Sequence, residues 1–106
     1  DGIPDHGSYE EILKSKRNPE SLIKMIESPH YQRQDQWQVQ IQASIQIDSE
    51  VYLKSDNLSD KQIVEAHLIP AHDVSLKVSE LLTEKYLNGT VCVLPEGPQT
   101  IPYLSL

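Results

Sequence analysis

Phenylalanine is absent from this 106-residue chain, and tryptophan and cysteine occur once each. The lone Cys92 excludes an internal disulfide framework. Its place in the apolar run 90–94 predicts a buried, unpaired thiol, which suits a reducing cytoplasm. No apolar run approaches the ~20 residues that a membrane helix needs, and no signal-peptide pattern opens the chain. The sequence therefore predicts a cytoplasmic domain with an aliphatic core.

Basic residues are also scarce: 9 lysines and arginines stand against 16 acidic residues, for a net charge of -7. Nucleic acids and anionic membranes require a clustered basic surface. The only basic cluster is Lys14, Lys16 and Arg17, and three glutamates flank it. We interpret it as a solvated helix face, and we expect neither nucleic acid nor membrane as a partner.

Residues 33–49, RQDQWQVQIQASIQIDS, are ambiguous because glutamines alternate with apolar residues. Alternation is typical of a half-buried strand. However, Asp35 stands three residues before Gln38, the spacing of a capping box, and glutamine forms helices more readily than strands. A helix here has two apolar stripes, Trp37, Ile41 and Ile45 on one side and Val39, Ala43 and Ile47 on nearly the opposite side. The residues favour a helix packed on two sides and leave the strand open.

Capping signals predict four further helices. They begin after Ser8, Asn18, Ser59 and Asp73, and the last ends near Gly89. Strands are predicted near 50–54 and 90–94, and a helical crossover makes them parallel. The expected fold class is α/β, a short two-stranded parallel sheet with several helices, as in a fragment of a Rossmann-like three-layer fold. Two parallel strands are too few for a stable sheet, so a further strand is expected just before Asp1-Gly2.

One cluster could carry chemistry: His67 and His72 lie five residues apart, and Asp73 follows. Histidines and a carboxylate can bind a metal, but Pro70 interrupts the helical spacing that such a pair would use. A helix end at His67 and a cap at Asp73 explain these residues better. Trp37 is interpreted as a core or interdomain anchor. We assign no catalytic, cofactor-binding or metal-binding residue.

Four segments stand out together: DQWQVQIQASI (35–45), EVYLKSDNLSD (50–60), HLIPAHDV (67–74) and VCVLPEGPQTIPYL (91–104). They resemble the C-terminal part of the lactate racemase family, most specifically at Asp35-Gln36-Trp37 and at Leu94-Pro95-Glu96-Gly97-Pro98. The resemblance extends from about Gly2 to Leu104. It implies that the segment after Asp35 is helical and that a strand precedes this region.

The resemblance also implies a function for a longer protein. Family members interconvert 2-hydroxy acids with a nickel-pincer nucleotide, and their catalytic residues belong to an N-terminal domain. Residues 1–106 would then form a single domain, the C-terminal α/β domain of a larger chain, inactive alone and forming one wall of the interdomain cleft. Its partner would be the N-terminal catalytic domain. The alternative is a free-standing binding or dimerisation module, and exposed strand edges predict self-association of the fragment.

Overall fold

The computed structural model describes residues 3, 7–103 and 105. Five helices and two short strands follow one another: α1 (Tyr9–Lys14), α2 (Pro19–Ile26), α3 (Gln36–Asp48), β1 (Tyr52–Leu53), α4 (Asp60–Glu65), β2 (Ile69–Pro70) and α5 (Val74–Glu80). A π-helical turn, Leu81–Lys85, continues α5, and a 3₁₀ turn spans Gly97–Gln99. Gly2, Pro4 and Gly7 predict a loop over residues 1–7, and most of that segment, including His6, lies outside the described residues.

Two of the predicted helix caps are present as hydrogen bonds. The Asn18 side chain accepts from the backbone N–H of Ser21 at 2.9 Å, and Pro19 occupies the first turn of α2. Ser59 and Gln62 form a reciprocal capping box at the start of α4. Each cap satisfies backbone N–H groups that the first helical turn leaves without a partner. Ser8 precedes α1 without such a side-chain bond.

The glutamine-rich segment is a helix, α3, as the sequence favoured, but its start is built differently from a capping box. Asp35 has a left-handed backbone (φ 64°), and its side chain makes no cap bond to α3. Instead, its carboxylate accepts from the backbone N–H of Ser8 at 3.1 Å. Gly7 (φ 75°) approaches so closely that a Cβ there would lie 2.0 Å from Asp35 Oδ2. This position therefore requires glycine.

The core lies within residues 1–74. Its buried side chains come from α1, α2, α3 and the residue after α4: Ile12, Leu13, Leu22, Ile26, Val39, Ala43 and Ala66. Only one apolar stripe of α3 is covered, since Val39 and Ala43 are fully buried while the Trp37 side of the helix is exposed. Trp37 is therefore not a core residue of the described chain.

The two strands form a parallel sheet, with Tyr52 paired to Ile69 and Leu53 to Pro70. The backbone N–H of Ile69 donates to the Val51 carbonyl at 3.0 Å. The helix α4 provides the crossover between the strands. A two-stranded parallel sheet and a strand near 50–54 are thus confirmed.

The predicted strand at 90–94 is wrong: these residues have no regular structure and are exposed. A β-branched apolar run becomes a strand only beside a partner that completes its backbone hydrogen bonds. In the described structure, Ile69–Pro70 is the segment that pairs with β1.

The chain divides into two units, Asp1–Val74 and Ser75–Leu106. The second contains most of α5, the π-helical turn and the C-terminal segment, and none of its described side chains is buried. Cys92 is exposed, which corrects the prediction of a buried thiol. Its neighbours in the 90–94 run are exposed because no strand ladder forms there to cover them.

Candidate functional site

The most distinctive surface of residues 1–74 is the uncovered side of α3. Trp37, Ile41 and Ile45 are 60%, 57% and 53% exposed, and we call them the Trp37 stripe. Their spacing of four residues aligns them along one helix face. The first charged residue of α3 is Asp48, its last. The stripe is therefore an apolar surface on a helix that carries no charge along twelve residues.

Two glutamines on another side of α3 fix its position. Gln42 Nε2 donates to the Ala66 carbonyl at 2.9 Å, and Gln46 Nε2 donates to the His67 carbonyl at 2.8 Å. These carbonyls lie at the C-terminal end of α4, where a helix leaves acceptors without a partner. Sequence reasoning missed this role, although the i, i+4 spacing of Gln42 and Gln46 signals a shared face. The bonds hold the Trp37 stripe on a fixed element.

Tyr9 adds a second anchor to α3. Its hydroxyl donates to the side-chain oxygen of Gln42. Burial raises the pKa of the Tyr9 hydroxyl, because desolvation disfavours the phenolate. The hydroxyl therefore remains a hydrogen-bond donor at and above neutral pH, and Gln42 links α1 to the end of α4.

The structure separates the histidine cluster that the sequence singled out. His67 lies two residues after the end of α4 in a left-handed conformation (φ 58°), and its Nε2 lies 2.9 Å from the Leu13 carbonyl. His72 is exposed, and its Nε2 lies 3.1 Å from Asp60 Oδ2. Each histidine thus has a different partner. His67 joins the C-terminal ends of α1 and α4, a structural role.

An apolar pocket of about 390 Å³ lies in the second unit. It is lined mainly by aliphatic and aromatic side chains of α5, the π-helical turn and the segment that follows: Val78, Leu81, Leu82, Tyr86, Val91 and Cys92. Thr90 supplies the one side-chain hydroxyl of the lining besides that of Tyr86. Specific ligand sites combine apolar walls with several convergent polar groups, so this pocket is a weaker candidate than the stripe.

Within the described residues, the fold is mostly helical with a two-stranded parallel sheet, and the stripe is an exposed apolar surface on it. The family model of the lactate racemase C-terminal domain matches residues 1–101. The chain therefore belongs to the lactate racemase C-terminal domain family, as the resemblance implied. Comparisons with curated proteins and with solved structures returned no significant match.

The family implies a nickel-pincer nucleotide in full-length proteins, so we tested whether this chain could hold one. No group of three or more histidine, cysteine, aspartate or glutamate side chains in the described ranges is arranged to hold a metal. His67 and His72 are engaged with Leu13 and Asp60, and Cys92 belongs to the second unit. The described residues do not fit the group. In the same ranges, no helix is long and apolar enough to cross a membrane.

Proposed function

We propose that this chain is the C-terminal domain of a lactate-racemase-like enzyme and that the Trp37 stripe packs against the catalytic domain, forming a wall of the interdomain cleft. The parent is then a cytoplasmic isomerase. Racemisation or epimerisation of a 2-hydroxy acid, with a nickel-pincer nucleotide as hydride acceptor, belongs to the catalytic domain. The described residues of this chain contribute packing and no reacting group.

The observation that carries the proposal is the size of the exposed stripe. Its three side chains, each somewhat more than half exposed, present roughly 300 Å² of apolar surface, within the per-side range of interfaces between domains of one chain. Stable complexes of separate proteins bury about 800 Å² per partner. A covalent tether supplies an effective concentration in the millimolar range. The stripe therefore suits a tethered domain better than a free partner.

The charge of the chain also favours the catalytic domain as the surface that covers the Trp37 stripe. A net charge of -7 opposes association of two identical copies. The stripe itself lies on an uncharged stretch of α3, so packing against it removes no charge from water. A catalytic domain can thus cover the stripe without a compensating ion pair.

The sheet also favours a larger assembly. Two strands of two residues each, Tyr52–Leu53 and Ile69–Pro70, form a marginal sheet. In the proposed parent, further parallel strands extend this sheet into a Rossmann-like three-layer arrangement. Helical crossovers between neighbouring parallel strands, such as α4 between β1 and β2, are the usual connections in such folds.

The first experiment measures the length of the native protein by immunoblot of source cells with an antibody against this domain. The proposal requires a band that corresponds to a chain several times longer than 106 residues. The native protein should then convert one enantiomer of a 2-hydroxy acid, with D-lactate and L-lactate as first probes, into the other. A band at the size of the fragment would contradict the proposal and favour the binding or dimerisation module.

A matched pair of variants tests the stripe itself in the full-length protein. Ile41 and Val64 are 57% and 58% exposed, but only Ile41 lies on the stripe. We expect Ile41→Gln to loosen the domains, seen as faster limited proteolysis between them and lower racemase activity. Val64→Gln should change neither. Equal effects of the two variants would show that the stripe is not the interdomain face.

A further inference from the structure

Three of the nine basic residues form no ion pair with any residue the structure describes: Lys16, Arg17 and Lys24. All three belong to α2 or to the turn that precedes it. In a chain of net charge -7, unpaired cations concentrated at one corner are unusual, because acidic groups are abundant. This corner corresponds in part to the basic cluster that the sequence presented as a solvated helix face.

Two of the three acids that flank this cluster in sequence have other partners. Glu10 lies 2.5 Å from Lys14, and Glu11 lies 2.5 Å from Arg33. Glu20 stands four residues before Lys24, a favourable spacing for a helical ion pair. No ion pair forms between them in the described structure. Lys16, Arg17 and Lys24 therefore keep side chains that no acid of the described residues holds in an ion pair.

Lys16 and Lys24 line one pocket of about 360 Å³, together with Ser21 and Met25. The positions 21, 24 and 25 share one face of α2, since they are three and four residues apart. The hydroxyl of Ser15, just after α1, lies 3.8 Å from Met25 Sδ. This contact places the turn after α1 against α2, and Lys16, the next residue of that turn, lines the pocket.

We propose that this pocket binds a small organic anion, a carboxylate or a phosphate that carries a short apolar group. Lys16 and Lys24 attract the anionic oxygens as point charges, and the Ser21 hydroxyl donates a hydrogen bond to them. The Met25 thioether contacts the apolar part, a role that suits its flexible and polarisable side chain. The site lies on α2 and not on the Trp37 stripe, so it goes beyond the proposed function and does not depend on it.

The test is an NMR titration of the ¹⁵N-labelled 106-residue chain with sodium phosphate, sodium lactate and sodium chloride at constant ionic strength. We expect saturable shifts of the Ser21, Lys24 and Met25 amides with phosphate or lactate at millimolar concentration. Chloride should produce none. If phosphate saturates the shifts at a lower concentration than lactate, the site prefers phosphates; the reverse order means that it prefers carboxylates. Saturation by either anion supports the site.

Variants separate the site from general surface charge. The double variant Lys16→Gln with Lys24→Gln should weaken binding about tenfold, the product of about threefold for each exposed lysine. Lys61→Gln is the matched control, because its side chain is 85% exposed and lies on α4, outside the pocket. Linear shifts with all three salts, or equal weakening by Lys61→Gln, would overturn the proposal.

Discussion

Val39 and Ile41 are two residues apart on α3 yet differ completely in burial: Val39 is fully buried, whereas Ile41 is 57% exposed. In a strand both side chains would lie on the same face, and truncating either one would lower the free energy of unfolding by a similar amount. In a helix they lie about 200° apart. The losses in the free energy of unfolding caused by Val39→Ala and by Ile41→Ala therefore differ if the segment is a helix and are similar if it is a strand.

The expected magnitudes follow from burial. Val39→Ala removes two carbons from a fully buried site, a loss of about 1.6 kcal/mol in transfer free energy that the cavity raises to about 2 to 2.5 kcal/mol. Ile41→Ala removes three carbons, but less than half of its surface is buried, so the loss is about 1 kcal/mol. Alanine returns roughly 0.5 kcal/mol through helix propensity at each position, which leaves a net cost of about 1.5 to 2 kcal/mol for Val39→Ala and about 0.5 kcal/mol for Ile41→Ala.

The assay is urea unfolding followed by far-UV circular dichroism. With a slope of about 1 to 1.5 kcal/mol per molar urea for a small domain, the midpoint should fall by roughly 1 to 2 M for Val39→Ala. It should fall by less than about 0.5 M for Ile41→Ala. Equal shifts would refute the helical assignment of α3, and a larger shift for Ile41→Ala would mean that the Trp37 stripe is buried in solution.

Three further outcomes follow from single contacts. Ser59→Ala should cost about 1 kcal/mol in the free energy of unfolding because it removes a capping box, whereas Ser8→Ala, at a position without a side-chain cap bond, should change it much less. His67→Gly should be more stable than His67→Ala by about 1 kcal/mol in thermal unfolding, since both lose the bond to the Leu13 carbonyl but only glycine adopts φ 58° without cost. Burial raises the pKa of Tyr9. The contribution of its neutral hydroxyl to the free energy of unfolding is therefore fully present below the unfolded pKa of 10.0 and is lost as pH rises through the folded pKa. As the pH rises from about 9 to 11, the urea midpoint of Tyr9→Phe should therefore fall less steeply than that of the unsubstituted chain. Parallel falls in the two proteins would contradict the raised pKa of Tyr9.

The features that sequence predicted well are local. The Asn18 cap and the Ser59–Gln62 capping box each depend on residues at most three apart, and both are present. The helical assignment of α3 was also right, because glutamine favours helices and the family resemblance agreed. The family itself followed from short motifs, Asp35-Gln36-Trp37 and the turn after Leu94, which retain information that composition does not.

The features that sequence could not predict depend on distant partners. The bond from Ser8 N–H to Asp35 joins residues 27 apart, and no local pattern reports it. The strand β2 contains Pro70, which sequence reasoning treated only as a helix stop, whereas residues 90–94 had the composition of a strand and no ladder beside them. The exposure of Cys92 followed from the same error. Local propensity does not determine which segment obtains a strand partner.

The alternation that made α3 ambiguous has a physical use in a helix. A period of two set on a helical period of 3.6 places glutamines on the flanks of the helix, on either side of the Trp37 stripe. On one side, Gln42 and Gln46 donate to the last carbonyls of α4; on another, the exposed Gln38 lies beside the Trp37 stripe. An amide forms hydrogen bonds without a counter-ion and keeps the same charge at every physiological pH. A helix covered on both sides can therefore bury such residues at less cost than lysine or glutamate, which is the composition expected of α3 if the core packs on one face and a catalytic domain on the other.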